Sequence, residues 1–197
     1  MQTRAAAFLD RDGVVIEEVN YLSSPSQVRL LDGAAEAIAR LNRLAIPVVV
    51  VTNQAGVAHG YFPESQIAEV HRHLDVLLAA QNARIDRYEY CPHHPAATIA
   101  GYRVACECRK PAPGMLLRAA AACGLDLGRS WLVGDKLSDL EAGLRAGCRV
   151  VLVRTGYGRQ TETSLDRLAP ARVAVAADLA EAVEQCIAFP IATIRAA

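Results

Sequence analysis

Lysine is nearly absent from this 197-residue chain. Of its 21 basic residues 19 are arginine, and the two lysines are Lys110 and Lys136. A sequence that meets its need for positive charge with arginine almost everywhere places a compact ammonium at just two positions, which marks both as sites of chemical demand. Net charge is absent as well. Lys+Arg and Asp+Glu each number 21, so nothing global draws the chain to nucleic acid or acidic lipid, and any anion recognition has to be local. No basic stripe is interleaved with aromatic residues, which argues against nucleic-acid end processing. No apolar run approaches the roughly 20 residues that cross a bilayer. The opening Met1-Gln2-Thr3-Arg4 leads straight into a short apolar strand, without the longer apolar stretch and small-residue cleavage site of an export signal. The expectation is a cytoplasmic protein with no membrane partner, taken as a monomer.

What is present is an apolar chain, 52% hydrophobic, enough for one compact domain over residues 1–197 with a sizeable core. Short apolar runs alternate with helical patterns. Strands are expected at Ala5 to Leu9, Pro47 to Val51, Ile85 to Tyr90, Trp131 to Val133, Arg149 to Val153 and, weakly, Val173 to Val175. Helices are expected at Ala34 to Leu44, from Pro63-Glu64 to about Gln81, from Pro113 to Cys123, up to Ala146, and at the C-terminus. This rhythm predicts an α/β fold, a doubly wound Rossmann-like parallel sheet with right-handed crossovers and apolar strands covered on both faces. Asp10, Thr52, Cys91 and Asp135 each follow a predicted strand, so they should converge on the rim where such sheets bind ligands.

Four polar motifs lie on that rim. Phe8-Leu9-Asp10-Arg11-Asp12-Gly13-Val14 offers two acids one residue apart, and Gly13 lets the backbone turn tightly. Val50-Val51-Thr52-Asn53-Gln54 brings a hydroxyl and a run of backbone N–H groups suited to phosphoryl oxygens. Cys108-Arg109-Lys110-Pro111 contains one of the two lysines. Val133-Gly134-Asp135-Lys136-Leu137-Ser138-Asp139 contains the other, with acids four apart at a helix start, where capping and dipole pairing alone can favour acids. Each motif has an ordinary structural explanation. Their joint occurrence in order at strand ends does not. Asp10, Asp12 and Asp135 make the oxygen-rich surroundings that Mg²⁺ prefers, Lys110 and Thr52 can neutralise phosphoryl oxygens, and Asp10 is a plausible covalent nucleophile.

On these motifs the sequence resembles the haloacid dehalogenase superfamily over roughly residues 5 to 160. The resemblance implies that Asp10 attacks phosphorus and that Asp12 protonates the leaving alkoxide and then deprotonates the hydrolytic water. Mg²⁺ would contact Asp10, the backbone oxygen of Asp12, and Asp135, with Asp139 supporting its shell. Thr52 and Lys110 would steady the transferring group. The segment between the first two motifs is too short for a large cap domain.

Residues 91 to 112 break the apolar rhythm. Cys91-Pro92-His93-His94-Pro95 and Cys106-Glu107-Cys108 supply three thiols and an imidazole in paired spacings. Cys91, His93, Cys106 and Cys108 complete a closed Cys₃His set for a structural Zn²⁺ within a loop spanning about 91–109, with His94 as an alternative ligand. Cys123, Cys148 and Cys186 read as small core residues. The zinc loop, with its continuation Arg109-Lys110-Pro111-Ala112-Pro113-Gly114-Met115, is similar to that of the D-glycero-D-manno-heptose 1,7-bisphosphate 7-phosphatase family. The related histidinol-phosphate phosphatases have a similar loop. The first resemblance implies a sugar-phosphate substrate in nucleotide-activated heptose synthesis for surface glycans. It implies substrate contacts at Arg11, Glu18, Val19, Asn20, Tyr21, Asn53, Gln54, Ala55, Arg109 and Lys136, with Arg109 on the remote phosphate. That family usually has arginine where this chain has His59. A catalytically inactive, zinc-stabilised binding module is the alternative of a different class. His71 and His73, in the middle of a predicted helix, are expected to be exposed, and Trp131 to be core.

Overall fold

The computed structural model describes residues 3–168 and 173–188. Six apolar segments form one parallel sheet: β1 (Ala7–Leu9), β2 (Val48–Asn53), β3 (Arg87–Cys91), β4 (Trp131–Gly134), β5 (Arg149–Val153) and β6 (Val173–Ala176). Their spatial order is β3-β2-β1-β4-β5-β6. Chain order therefore reverses beside β1, whose neighbours are β2 and β4. Ligand crevices of doubly wound sheets open at such a switch point.

Alternation along the strands covers both faces. Ala7, Leu9, Val48 and Val133 point to one side, where they meet α1 (Ala34–Arg43), α3 (Ser65–Ala79) and α7 (Leu179–Glu181). Phe8, Val49, Val51 and Leu132 point to the other, against α4 (Gly114–Cys123) and α5 (Leu137–Ala146). Trp131 is buried at the start of β4, and Cys148 lies in the second core. Cys123 is only partly buried, and the Cys186 side chain lies outside the described residues. Among the described residues no helix is long and apolar enough to cross a membrane.

The expected elements are present, with shifted ends. Strand β2 runs on through Thr52 and Asn53 because its partner β3 reaches Cys91, which pairs with Asn53. Strand β3 starts at Arg87; the Asp86 N–H still donates to the Val48 carbonyl at 2.9 Å, but the Val48 N–H is taken by the Asp86 carboxylate at 2.8 Å. Two short helices escaped the periodicity, α2 (Ala55–Ala58) and α6 (Gly158–Glu162). At four and five residues they are too short to show a helical period. Between β1 and β2 the chain holds a 3₁₀ turn at Pro25–Gln27 and α1, without an inserted cap.

The exposed placement of His71 is corrected. It lies on the stripe of α3 formed by Ile67, Val70, Leu74 and Leu78, all buried, and is itself 7% exposed. His73, off that stripe, is half-buried. The spacing of the stripe placed His71 inward; its polarity alone suggested otherwise.

Candidate active site

A cavity of about 330 Å³ opens at the switch point. Asp10 leaves β1 with its N–H on the Val133 carbonyl of β4 (2.9 Å), which carries the strand pairing to the cavity floor. Its Oδ1 accepts from the Arg11 N–H and from Lys110 Nζ, both at 2.8 Å. Lys110, 3% exposed, also reaches Asp139 Oδ1 at 2.7 Å and the Val51 carbonyl at 2.8 Å. One buried ammonium thus joins the first, second and fourth motifs from the third. Asn53 locks it from behind, donating to the Lys110 carbonyl and accepting from the Lys110 N–H, each at 3.1 Å.

Asp10, Asp135 and Asp139 bring carboxylate oxygens within 4.8 Å of one another, all buried. Asp135 is enclosed by backbone. A Cβ on Gly13 (φ +86°) or on Gly156 (φ +54°) would collide with its carboxylate, so both positions need glycine for space as well as conformation. Asp135 Oδ2 accepts from the Tyr157 N–H at 2.8 Å, while Oδ1 is buried with no partner among the described residues. Burial pushes the Asp10 carboxyl up to about 7; Lys110 opposes this, and Asp139, Asp135 and Asp12 add to it. Asp135 is likewise lifted by burial, to about 6, with Lys136 opposing. Three buried carboxylates, one fully buried lysine and an orphaned acceptor make a surplus of negative charge that a hard divalent cation fits.

Asp12 stands apart from this cluster. Its carboxylate faces Arg11, with Nε to Oδ2 at 3.2 Å and Nη2 to Oδ1 at 3.1 Å, and accepts from Gln54 Nε2 (3.1 Å) and Thr52 Oγ1 (3.3 Å). Burial raises its pKa, but the charge and hydrogen bonds of Arg11, with Lys136 and Gln54 adding to them, together outweigh burial and hold Asp12 below the usual carboxylate range. Arg11 is itself 1% exposed.

Across the mouth, Lys136 Nζ pairs with Glu18 at 2.7 Å and lies 4.6 Å from the centre of the Tyr157 ring. The Tyr157 hydroxyl donates to Asn20 at 2.9 Å. Asn20 and Tyr21 hold φ of 48° and 55°, which turns this loop over the cavity. Of the expected substrate contacts, Arg11, Glu18, Asn20, Tyr21, Asn53, Gln54, Ala55, Arg109 and Lys136 line the cavity. Val19 does not; it packs against the core. Tyr157, Phe62 and Ser138 also line it and were missed. Tyr157 lies beyond the fourth motif, and only the turn that brings its N–H to Asp135 puts it there.

The loop cysteines gather. Cys91 Sγ lies 3.1 Å from Cys108 Sγ and 3.5 Å from Cys106 Sγ, Cys106 and Cys108 are 3.3 Å apart, and His93 Nδ1 is 3.4 Å from Cys108 and 3.7 Å from Cys91. A tetrahedral zinc site with Zn–S bonds near 2.3 Å has S–S edges of about 3.8 Å, somewhat wider than these separations, so the donor set fits that ion with a small expansion. His94 is outside the cluster, with its ring 4.9 Å from that of His59 and its Nδ1 accepting from Ala96 N–H. Arg109 donates to the His93 carbonyl at 3.1 Å, tying the cysteine cluster to the cavity.

Residues 107–182 match the HAD-hydrolase-like family. With the switch-point carboxylates and the 3-2-1-4-5-6 sheet, this defines the class of the protein: a HAD-like phosphoric monoester hydrolase. The chain is 46% identical over 144 residues to D-glycero-beta-D-manno-heptose-1,7-bisphosphate 7-phosphatase of Rhodopseudomonas palustris, covering 73% of this chain and 80% of that one. It is 38% identical over 180 residues to the enzyme of the same name from Photorhabdus laumondii, covering 91% and 95%. It superposes with a TM-score of 0.82 and 36% identity on D,D-heptose 1,7-bisphosphate phosphatase from B. bronchiseptica complexed with magnesium and phosphate, covering 98% and 99%. The chain belongs to the D-glycero-D-manno-heptose 1,7-bisphosphate 7-phosphatase family, as its motifs indicated.

Proposed function

We propose that the protein hydrolyses the 7-phosphate of D-glycero-D-manno-heptose 1,7-bisphosphate through an aspartyl-phosphate on Asp10, in the cytoplasm, for the synthesis of nucleotide-activated heptose used in surface glycans. The observation that carries this reading is Asp10 itself, held by Lys110 on a small-molecule-sized cavity that Asp12 also lines, in a chain of the heptose-phosphatase family.

Asp10 forms the new bond to phosphorus as the bond to the sugar oxygen breaks, and Asp12 delivers its proton to that departing alkoxide. Asp12, now a carboxylate, takes a proton from the water that attacks phosphorus, and Asp10 and inorganic phosphate are released. The Arg11 pair favours ionised Asp12, so the carboxylate needed for the second half is the resting form and the protonated acid needed for the first is the less populated one. Lys110 and Thr52 neutralise phosphoryl oxygens. Asp10, Asp135 and the backbone oxygen of Asp12 would hold Mg²⁺, with Asp139 behind them, and the bound cation would supply charge neutralisation at the transferring group. Arg109 grips the remote phosphate with its planar fork, steadied by the His93 carbonyl.

The test is kcat/KM for heptose 1,7-bisphosphate against histidinol phosphate, both with Mg²⁺. A preference for the heptose of at least about 100-fold is expected, since a site built around polar contacts discriminates strongly. Equal or reversed preference sinks the heptose reading, and no phosphate release from any sugar phosphate favours the inactive module.

Zinc occupies the Cys₃His cluster in this reading and orders a loop with few apolar residues of its own. Protein purified without added metal should contain about one zinc per chain by elemental analysis. Cys108→Ser should lose that zinc and lower kcat, because Arg109 and Lys110 follow directly in the chain. Full activity in zinc-free wild-type protein would show that the loop positions Arg109 and Lys110 without metal.

A further inference from the structure

Arg11 uses its donors in two directions. Nε and Nη2 grip the Asp12 carboxylate, while Nη1 lies 3.3 Å from Nε2 of His71 on α3, 60 residues away in sequence. Arginine can only donate, so His71 Nε2 accepts and the imidazole is neutral with its proton on Nδ1. The histidine has little freedom to turn. Its ring stacks on Tyr88 at 4.1 Å and 14°, and the Tyr88 hydroxyl donates to Asp75 at 2.7 Å. Burial and the Arg11 charge together push the His71 pKa down to about 3, in keeping with an imidazole that stays neutral.

A guanidinium gripped by one carboxylate alone can swing with it. Here the opposite edge of the fork is anchored to a ring fixed by stacking, and the fork in turn fixes the plane of the Asp12 carboxylate. Thr52 and Gln54 complete the grip from the cavity side. A surface arginine would gain nothing from such an anchor. Arg11 is 1% exposed and Asp12 lines the cavity, so the anchor bears on how the Asp12 carboxyl is presented there.

We propose that His71 is a positioning residue for the proton transfer at Asp12, acting through Arg11 by accepting its Nη1–H. The inference rests on Asp12 being the acid that serves the leaving group.

Leaving-group dependence tests it. The 7-phosphate is a primary alkyl ester whose alkoxide needs a proton to depart, whereas p-nitrophenolate leaves without one. The ratio kcat/KM covers only the steps through release of the alcohol, so the later hydrolysis of the phospho-enzyme does not enter. His71→Leu should lower kcat/KM for heptose 1,7-bisphosphate about tenfold or more, and for p-nitrophenyl phosphate by less than about threefold, since the whole acid contribution is on the order of 10²–10⁴-fold. His71→Gln, whose amide oxygen can accept from Arg11 in place of Nε2, should recover most of the loss. Equal losses on both esters, no loss on either, or no recovery with glutamine overturns the proposal. Asp12→Ala in the same two assays separates the claims. If it shows the leaving-group dependence and His71→Leu does not, His71 alone is ruled out; if it does not, the acid role of Asp12 falls first.

Discussion

Asp10→Asn is expected to lower kcat by on the order of 10⁴-fold or more, the scale seen when a covalent nucleophile is removed, while leaving the fold intact. The amide matches the carboxylate in size and can still accept from Lys110 Nζ and the Arg11 N–H, but it has no anionic oxygen to attack phosphorus. The effect on stability should be small or favourable. Asp10 is buried beside Asp135, Asp139 and Asp12, an environment that already disfavours its charge. Removing one negative charge relieves repulsion among the rest. In a chelating buffer the variant should therefore melt at or above the wild-type temperature, and with Mg²⁺ the advantage should shrink, since the cation meets one carboxylate fewer. Circular dichroism melts with and without Mg²⁺, alongside single-turnover phosphate release, check both parts. A melting temperature far below wild type identifies a structural residue, and turnover within about tenfold of wild type identifies another nucleophile.

Lys110→Met should damage stability as well as rate. The ammonium is buried and bonded to Asp10, Asp139 and the Val51 carbonyl, and its charge is maintained because the two carboxylates outweigh burial. Methionine fills much of the volume but leaves the buried Asp10 and Asp139 carboxylates without the ammonium that pairs them, a loss of about 3–5 kcal/mol in metal-free protein. Removing the lysine raises the carboxyl pKa values further, so proton uptake offsets part of that loss. The destabilisation should be smaller in mildly acidic than in alkaline buffer. Added Mg²⁺ should restore part of it, because a divalent charge replaces some of what the ammonium supplied. Urea unfolding in chelator and in Mg²⁺, at two pH values, measures all three effects. Activity should fall on the order of 10³-fold even at saturating Mg²⁺, the scale of losing one charge-stabilising donor. Wild-type stability in chelator would show that the carboxylates do not depend on Lys110.

Much of this was legible because the relevant signals are local. The apolar runs at 5–9, 47–51 and 131–133 mark buried parallel strands, and polar residues at or just after their ends lie on one rim whatever the details of packing. The scarcity of lysine singled out Lys110 and Lys136, which both line the cavity. The cysteine–histidine spacings likewise picked out the four residues whose ligand atoms gather.

Side-chain direction was less legible, because it depends on neighbours distant in sequence. Asn53, Gln54 and Arg11 line the cavity, but the sequence did not show that Asn53 bonds the Lys110 backbone or that Gln54 and Arg11 bond Asp12. Val19 sits in a loop over the cavity but turns into the core.

By itself, then, the sequence determined the sheet, the order of its acids and lysines along the rim, and the composition of the cysteine cluster, since strand period and ligand spacing are short-range. Only the tertiary structure decided that one ammonium would join all four motifs, that Gly13 and Gly156 would close on Asp135, and that His71 would stand behind Arg11. Those contacts form where β1, β2, β4 and α3 pack together, and close packing aims each side chain in ways that spacing along the chain cannot express.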